Sequence, residues 1–564
     1  MRKNNIIPII IFFMLLITGC SSKDNVGDVS NLVEDANDKD AFVENNDENN
    51  DENAEVDSDN GTNPQDDGAN HIIESVFRDD LSDLFEGLEL NKSYKPIGNG
   101  NPLITQGFGA DPYGMVYKDK VYVYMTQDEV MYDSQGKVKD NDYSNINKLR
   151  CISSADMVNW TDHGYIHIGG IKGVSFWAKR SWAPTAAWKE IDGEDKFFLY
   201  FSNGAGGIGV LTADSPTGPF KDLGEALITH DTPNCRDVVW LFDPAVLVDD
   251  DGTAYLYFGG GVPEEESESP KTARVIQLGD DMVSVVGEAV VIDAPFMFEN
   301  SGINKIGDTY YYTYCSNFRS RAGAKGPHVP NGGEIIYMTS DNPMGPWQYQ
   351  GSILKNPHHY FGTGGNNHHS IVQFNDKWYI FYHTSILQDA MGIKGGYRST
   401  NVNEVTINDD GSIDMIKADR LGVAQLKPLN PYEEIMATTM ANNAGIKMVE
   451  EEKKTFRDPL IVSVGEIESG DWIQVSGVDF GDVGPDTLTI SYSSQGGSGA
   501  IRVCSDTLDG QVITYIEVKD TGSFTNYVNV TVPVNHINGV HDIYFEFVGS
   551  DYHINSWQFN KNIK

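Results

Sequence analysis

The stretches Asp111-Pro-Tyr-Gly-Met-Val-Tyr117 and Val121-Tyr-Val-Tyr124, joined by the turn Lys118-Asp119-Lys120, read as two short strands, the second dense in aromatic rings. The arrangement returns four times: Ala183-Pro-Thr-Ala-Ala-Trp188 with Phe197-Phe-Leu-Tyr-Phe201, Asp243-Pro-Ala-Val-Leu-Val248 with Tyr255-Leu-Tyr-Phe258, Glu299-Asn-Ser-Gly-Ile303 with Tyr310-Tyr-Tyr-Thr-Tyr314, and His368-His-Ser-Ile-Val372 with Trp378-Tyr-Ile-Phe-Tyr382. Each copy opens on a polar or small residue, runs apolar, turns on Asp, Gly, Lys or Asn, and returns through Tyr, Phe and Trp. Between Asn99 and Pro428 the openings lie roughly 55 to 75 residues apart. That period suits a four-stranded blade with generous loops, and five copies predict a five-bladed β-propeller.

Asp111, Asp243, Glu299 and His368 each stand eight residues before a turn residue: Asp119, Asp251, Gly307 and Asp376. The start of each innermost strand of a propeller faces the axis, so these four side chains are expected to converge there. The second repeat carries Ala183 at that place, beside Trp182. A single Asp in such a position usually caps a turn. Three carboxylates and a His at one register point to chemistry instead. Like charges held close raise one another's proton affinity, so one carboxyl can stay protonated while another stays ionised. Cleavage of a glycosidic bond needs that division of labour.

The 564 residues exceed one ordinary domain and predict two folded units with flexible segments. A net charge of −41 repels phosphates and anionic lipids, which excludes nucleic acid as a partner. Arg2 and Lys3 precede an apolar run from Ile6 to Ile17, too short to span a bilayer comfortably, and then comes Thr18-Gly19-Cys20. Residues 1–20 thus read as a signal peptide. Cys20 after Gly resembles the bacterial lipobox, in which that Cys carries lipid. Residues 21–75 read as a disordered acidic linker: from Lys23 to Asp67 there are sixteen acidic residues against two lysines. The expected location is extracellular, anchored to the bacterial cell membrane through lipid alone, and the expected state is a monomer. Cys151, Cys235, Cys315 and Cys504 match no metal motif or compact disulfide framework, which leaves a pairing among them open.

The strings Ala110-Asp111-Pro112, Trp182-Ala183-Pro184, Phe242-Asp243-Pro244, Phe298-Glu299 and Asn367-His368-His369-Ser370, with Tyr397-Arg398-Ser399, resemble the signature blocks of glycoside hydrolase family 43, in order, over Asn99 to about Lys427. The resemblance implies inverting hydrolysis of α-L-arabinofuranosides or β-D-xylosides, with no cofactor needed for the chemistry. It implies that Asp111 is the general base, Glu299 the general acid, and Asp243 the residue that orients Glu299 and raises its pKa. Asn300-Ser301-Gly302 departs from the commonest family string. His368 resembles the family histidine associated with a metal, usually calcium; the alternative is a buried, hydrogen-bonded structural His. Trp182 and Phe242, with neighbouring Phe298, are candidate sugar-stacking rings. Arg398 either binds sugar hydroxyls or pairs with an acid.

Residues 76–435 are assigned to the propeller and 436–455 to a linker. From 456 to 564, period-two alternation with Gly-rich turns predicts a β-sandwich of jelly-roll type, making the whole chain all-β. Gly470-Asp471-Trp472-Ile473, Val478-Asp479-Phe480-Gly481 and Asn555-Ser556-Trp557 resemble carbohydrate-binding module family 6, which implies sugar contacts at Tyr527 and Asn555. An attached module favours a polymeric partner, plant cell-wall arabinoxylan or xylan, and hence an arabinofuranosidase. The alternatives are a β-D-xylosidase on xylan fragments and a surface xylan-binding protein with an inactive propeller. Retention of Asp111, Asp243 and Glu299 weighs against the last.

Overall fold

The computed structural model describes residues 71–72, 79–264, 266–321, 329–451 and 460–561. The signal peptide, Cys20 and nearly all of the acidic linker lie outside them. Five antiparallel sheets form the larger part. The first blade runs through Ala110–Tyr117, Lys120–Thr126, Lys148–Ser154 and Trp160–His167, and the second through Trp182–Ile191, Glu194–Ser202, Ile208–Ala213 and Lys221–Asp222. The third comprises Ala245–Val248, Ala254–Gly259, Ala273–Leu278 and Val285–Ile292, and the fourth Met297–Ile306, Thr309–Ser316, Ile335–Ser340 and Gln348–Leu354. The fifth has three strands, His369–Phe374, Lys377–Thr384 and Ser399–Val405. The innermost strands pack side by side in blade order, and the fifth closes against the first. This is the five-bladed ring expected from the repeats.

The aromatic second strands hold neighbouring blades together. Their rings fill the wedge between sheets, and their hydroxyls end on backbone carbonyls of the next blade: Tyr124 on Pro216 (2.6 Å), Tyr200 on Met282 (2.7 Å) and Tyr257 on Pro343 (2.6 Å). A buried phenol needs such a partner, which explains why Tyr recurs at this position.

The smaller part is a sandwich. One sheet contains Lys447–Glu450, Val462–Gly465, Tyr552–Asn560, Thr487–Ser494 and Ser523–Pro533; the other contains Asn442–Ala444, Trp472–Asp479, Val540–Gly549, Gly499–Ser505 and Gln511–Val518. Ile, Val and Phe side chains with Trp557 fill the space between them.

Three boundaries differ from the expectation. The supposed linker 436–455 is structured over its described residues 436–451, and residues 452–455 lie outside the described residues. Thr439–Met440 adds a fifth strand to the first blade, while Asn442–Ala444 and Lys447–Glu450 join the two sandwich sheets. Its polar residues face a polar interface: Asn443 donates to Gln106, and Glu450 accepts from the Tyr165 N–H and contacts His167. The described segment from residue 79 packs on the sandwich, with Leu81 and Phe85 buried against Ala500. His71–Ile72, inside the expected linker, pairs in parallel with Val530–Thr531. The four described cysteines are buried and free, so no disulfide joins them.

Candidate active site

Innermost strands are kinked at the mouth of the axis. The first, second and fourth lose ladder register between Ala110 and Tyr113, Trp182 and Thr185, and Glu299 and Gly302. Asp111 (φ +49°), Ala183 (+38°), Asp243 (+49°) and Asn300 (+66°) take left-handed backbone conformations there. Such conformations cost a non-glycine residue on the order of 1–3 kcal/mol, and the bulge re-aims the side chain. Asn300, not Glu299, therefore occupies the register of Asp111 and Asp243. Glu299 sits one residue earlier, level with Ala110 and Trp182, and the turn residue matching Asp119 is Asp308 rather than Gly307.

The left-handed residues are fastened by a repeated device. The last residues of the preceding blade's second strand cap their N–H groups. Thr126 Oγ1 accepts from Ala183 (2.8 Å), Ser202 Oγ from Asp243 (2.9 Å) and His383 Nδ1 from Asp111 (3.1 Å). In the third blade that place is Gly259, at φ +101°, where an added Cβ would lie 2.3 Å from the Thr272 carbonyl oxygen. With no side chain available, the N–H of Asn300 donates to Asp243 Oδ2 instead (2.9 Å).

Asp111, Asp243, Glu299 and His368 do converge. All four are buried, and His368 Nδ1 lies 3.5 Å from Asp111 and 3.7 Å from Asp243. The acids are nonetheless in different states. Burial pushes the Asp111 carboxyl upward, but Arg398, with Nη1 donating to Oδ1 at 2.8 Å, outweighs it together with His368 and His383, so Asp111 is held well below the usual carboxylate range. Glu299 has no such cation in contact. Burial and the charge of Asp111 push it up to about 8, tempered by the Asn366 side chain and Arg398, and one of its oxygens is buried without a hydrogen-bond partner. Asp243 is also raised, by burial and by Glu299 and Asp111. One carboxyl in the cluster is ionised and another carries a proton at neutral pH.

Arg398 resolves in favour of pairing with acids. Nε and Nη2 donate to the two oxygens of Asp128 (3.0 and 2.9 Å), and the third arm reaches Asp111. The Tyr143 ring lies 5.0 Å from the guanidinium, and the Tyr143 carbonyl accepts from Trp182 Nε1 at 2.8 Å. Phe242 is buried edge-on to Trp240, so it supports the wall rather than offering a face. The rings on that wall are Trp240, Phe298 and Phe318, with centroids 5.2 and 5.3 Å apart in succession. Sequence reading missed Asp128, Tyr143, His383, Asn300, Trp240 and Phe318. Most sit in excursions between blade strands, outside the repeated strings. His383 follows Tyr382 directly, in the place of Thr126 and Ser202, and that equivalence was the available signal.

His368 was a candidate calcium ligand. Among the described residues, no group of three or more His, Cys, Asp or Glu side chains is arranged to hold a metal ion. Its Nδ1 faces the Asp111 and Asp243 carboxylates at ion-pair distance. In the sandwich, Tyr527 and Asn555 do meet: Ser463 Oγ lies 2.8 Å from the Tyr527 hydroxyl and 3.2 Å from Asn555 Nδ2, and Tyr527 also donates to Glu451.

An ionised and a protonated carboxyl, clustered at the axis of a propeller and rimmed by aromatic rings, define a hydrolase of glycosidic bonds. Comparison with known proteins narrows the class. Residues 100–413 match glycosyl hydrolases family 43 and residues 436–561 match the carbohydrate binding module (family 6); the chain belongs to that hydrolase family and carries that module. An arabinoxylan arabinofuranohydrolase of Paenibacillus polymyxa is 46% identical over 86% of this chain and 78% of its own length. One from Bacillus subtilis is 47% identical over 83% of this chain and 93% of its own. A crystal structure of the Bacillus subtilis enzyme in complex with cellotetraose superposes with a TM-score of 0.79 at 46% identity, covering 84% of this chain and 99% of that one.

Proposed function

We propose that the protein removes α-L-arabinofuranosyl groups from arabinoxylan with inversion. The observation carrying this is the split protonation of Asp111 and Glu299, combined with arabinoxylan-acting relatives alike over both folded parts. Asp111, ionised, takes a proton from a water that attacks the anomeric carbon. Glu299, protonated, gives its proton to the departing glycosidic oxygen on the opposite face. Asp243 fastens the Asn300 backbone next to Glu299 and so orients the acid. Charge develops on the sugar ring as the bond breaks, and a dry, buried cluster stabilises it better than water would.

The sandwich holds the polysaccharide at Tyr527 and Asn555. The enzyme works as a monomer outside the cell, held to the membrane by lipid on Cys20. The test is to incubate purified protein with arabinoxylan and with xylo-oligosaccharides, identify the released sugar, and follow its anomer by proton NMR. Arabinose appearing first as the inverted anomer supports the reading. Release of xylose alone, or of the retained anomer, overturns it.

A further inference from the structure

We propose that His383 is a positioning residue that fastens the general base by its backbone and ties it to the loop residue Asn366, a neighbour of the general acid. The inference rests on the reading of Asp111 as base. The cap device already described shows why His383 stands out. At the equivalent place in the first and second blades, Thr126 and Ser202 cap the N–H of the following left-handed residue with a hydroxyl. Those caps end there. The fifth blade puts an imidazole in the same place, and an imidazole has a second nitrogen.

That second nitrogen is occupied. His383 Nε2 lies 3.2 Å from the Asn366 carbonyl oxygen, which can only accept, so Nε2 carries the hydrogen. In the neutral ring Nδ1 is then bare and accepts the Asp111 N–H at 3.1 Å. The side chain is 2% exposed, so water does not compete for either bond. Asn366 in turn places its side chain against the Glu299 carboxyl. A single ring thus links the base's strained backbone to a residue touching the acid. A serine or threonine could make only the first of the two bonds. An inverting pair works only at a spacing that admits one water, and a misplacement of about 1 Å can cost on the order of 10²-fold. His383 Nδ1 also lies 3.1 Å from Asp111 Oδ1; its contacts are with the base and with Asn366, and it acts through them.

The experiment compares His383→Ala, His383→Ser and His383→Gln with wild type, in full-length protein, on an aryl arabinofuranoside and on arabinoxylan. Thermal unfolding checks that each variant is folded. His383→Ala is expected to lose on the order of 10²-fold in kcat with KM within about threefold, because alignment rather than binding is lost. His383→Ser, which restores the cap in the manner of Ser202, recovers part of that loss. His383→Gln, which has an acceptor and a donor, recovers more. The inference is overturned if Ser and Gln are no better than Ala, if the loss lies in KM with kcat kept, or if Ala matches wild type. Should the Ala variant not fold, the order Gln above Ser carries the test, and equality of the two overturns it. Asp111→Asn is measured alongside: a retained activity there fails the base reading instead, whatever the His383 variants show.

Discussion

Asp111 and Glu299 are both carboxylic acids, both buried at the same mouth, and they are held in opposite ways. Asp111 touches a guanidinium, has two imidazoles nearby, and has its backbone capped. Glu299 is offered no cation in contact and keeps one oxygen without a partner. Burial alone raises both. What separates them is where the buried guanidinium of Arg398 points, and Asp128 decides that by gripping two arms of Arg398 and leaving the third for Asp111. The charge on Asp111 then becomes one of the forces that keep Glu299 protonated. Acid and base are thus defined by their surroundings rather than by residue type.

The hardest way to break the contrast is to remove the ionised partner. Asp111→Asn is expected to lower kcat by about 10⁴-fold on arabinoxylan and on activated aryl glycosides alike, since water must be activated whatever leaves. Steady-state rates on both substrates check this; activity kept on either one reassigns the base. Glu299→Gln is expected to lose about 10²–10³-fold on arabinoxylan and far less on a dinitrophenyl glycoside, whose oxygen leaves without a proton. In wild type, kcat/KM should fall as pH rises through about 8, where Glu299 gives up its proton. That limb should vanish in the Gln variant on the activated substrate. A wild-type profile flat from pH 6 to 10 would contradict it.

Much of this contrast could be read in the residues beforehand, and the reason is periodicity. The five hairpins repeat closely enough to give the ring, its order and the converging Asp111, Asp243 and His368. Glu299 was found through its string, while its register was off by one. The bulge that displaces it leaves no mark in an eight-residue count, because Gly307 and Asp308 both suit a turn. Arg398 was legible as a residue but not in its role, since its decisive partner Asp128 lies 270 positions away in an excursion of the first blade. The linker misreading has the same source. Polar residues from Asn442 to Glu450 look solvent-facing, yet they are paired across an interface between two folded parts, and one-dimensional polarity does not distinguish these cases.

A gentler perturbation leaves both acids in place and removes the cation. Arg398 alone cannot simply be deleted, because Asp128 would remain as a lone buried charge, which is strongly destabilising. The paired change Asp128→Asn with Arg398→Gln is neutral in charge and keeps hydrogen-bonding groups at both places. It should move the acid limb of the kcat/KM profile to higher pH, because burial, which raises Asp111, is no longer outweighed by Arg398. An acid limb that stays where it is in wild type would show that Arg398 is not what holds Asp111 low.

The smallest effect expected is on stability, and it has the sign opposite to the loss of activity. Glu299 has a folded-state pKa of about 8 against an ordinary value of 4.5. Below 4.5 the carboxyl is protonated folded or unfolded, so its stabilising contribution is fully present there. Between 4.5 and 8 the unfolded chain ionises freely while the folded one holds its proton, and stability is lost steadily until folded Glu299 also ionises near 8. Asp111 adds no slope over this window, since its depressed pKa leaves it ionised in both states above the ordinary Asp range. Glu299→Gln removes the Glu299 slope altogether. The variant's melting temperature should match wild type near pH 5 and exceed it by a margin that widens up to about pH 8 and then stays level, on the order of 10 °C at roughly 2–4 °C per kcal/mol. Calorimetric melts of both proteins at pH 5, 7 and 9 give the comparison. A gap that does not widen with pH would mean that the folded protein does not hold the Glu299 proton, and the contrast between the two carboxyls would then rest on Asp111 alone.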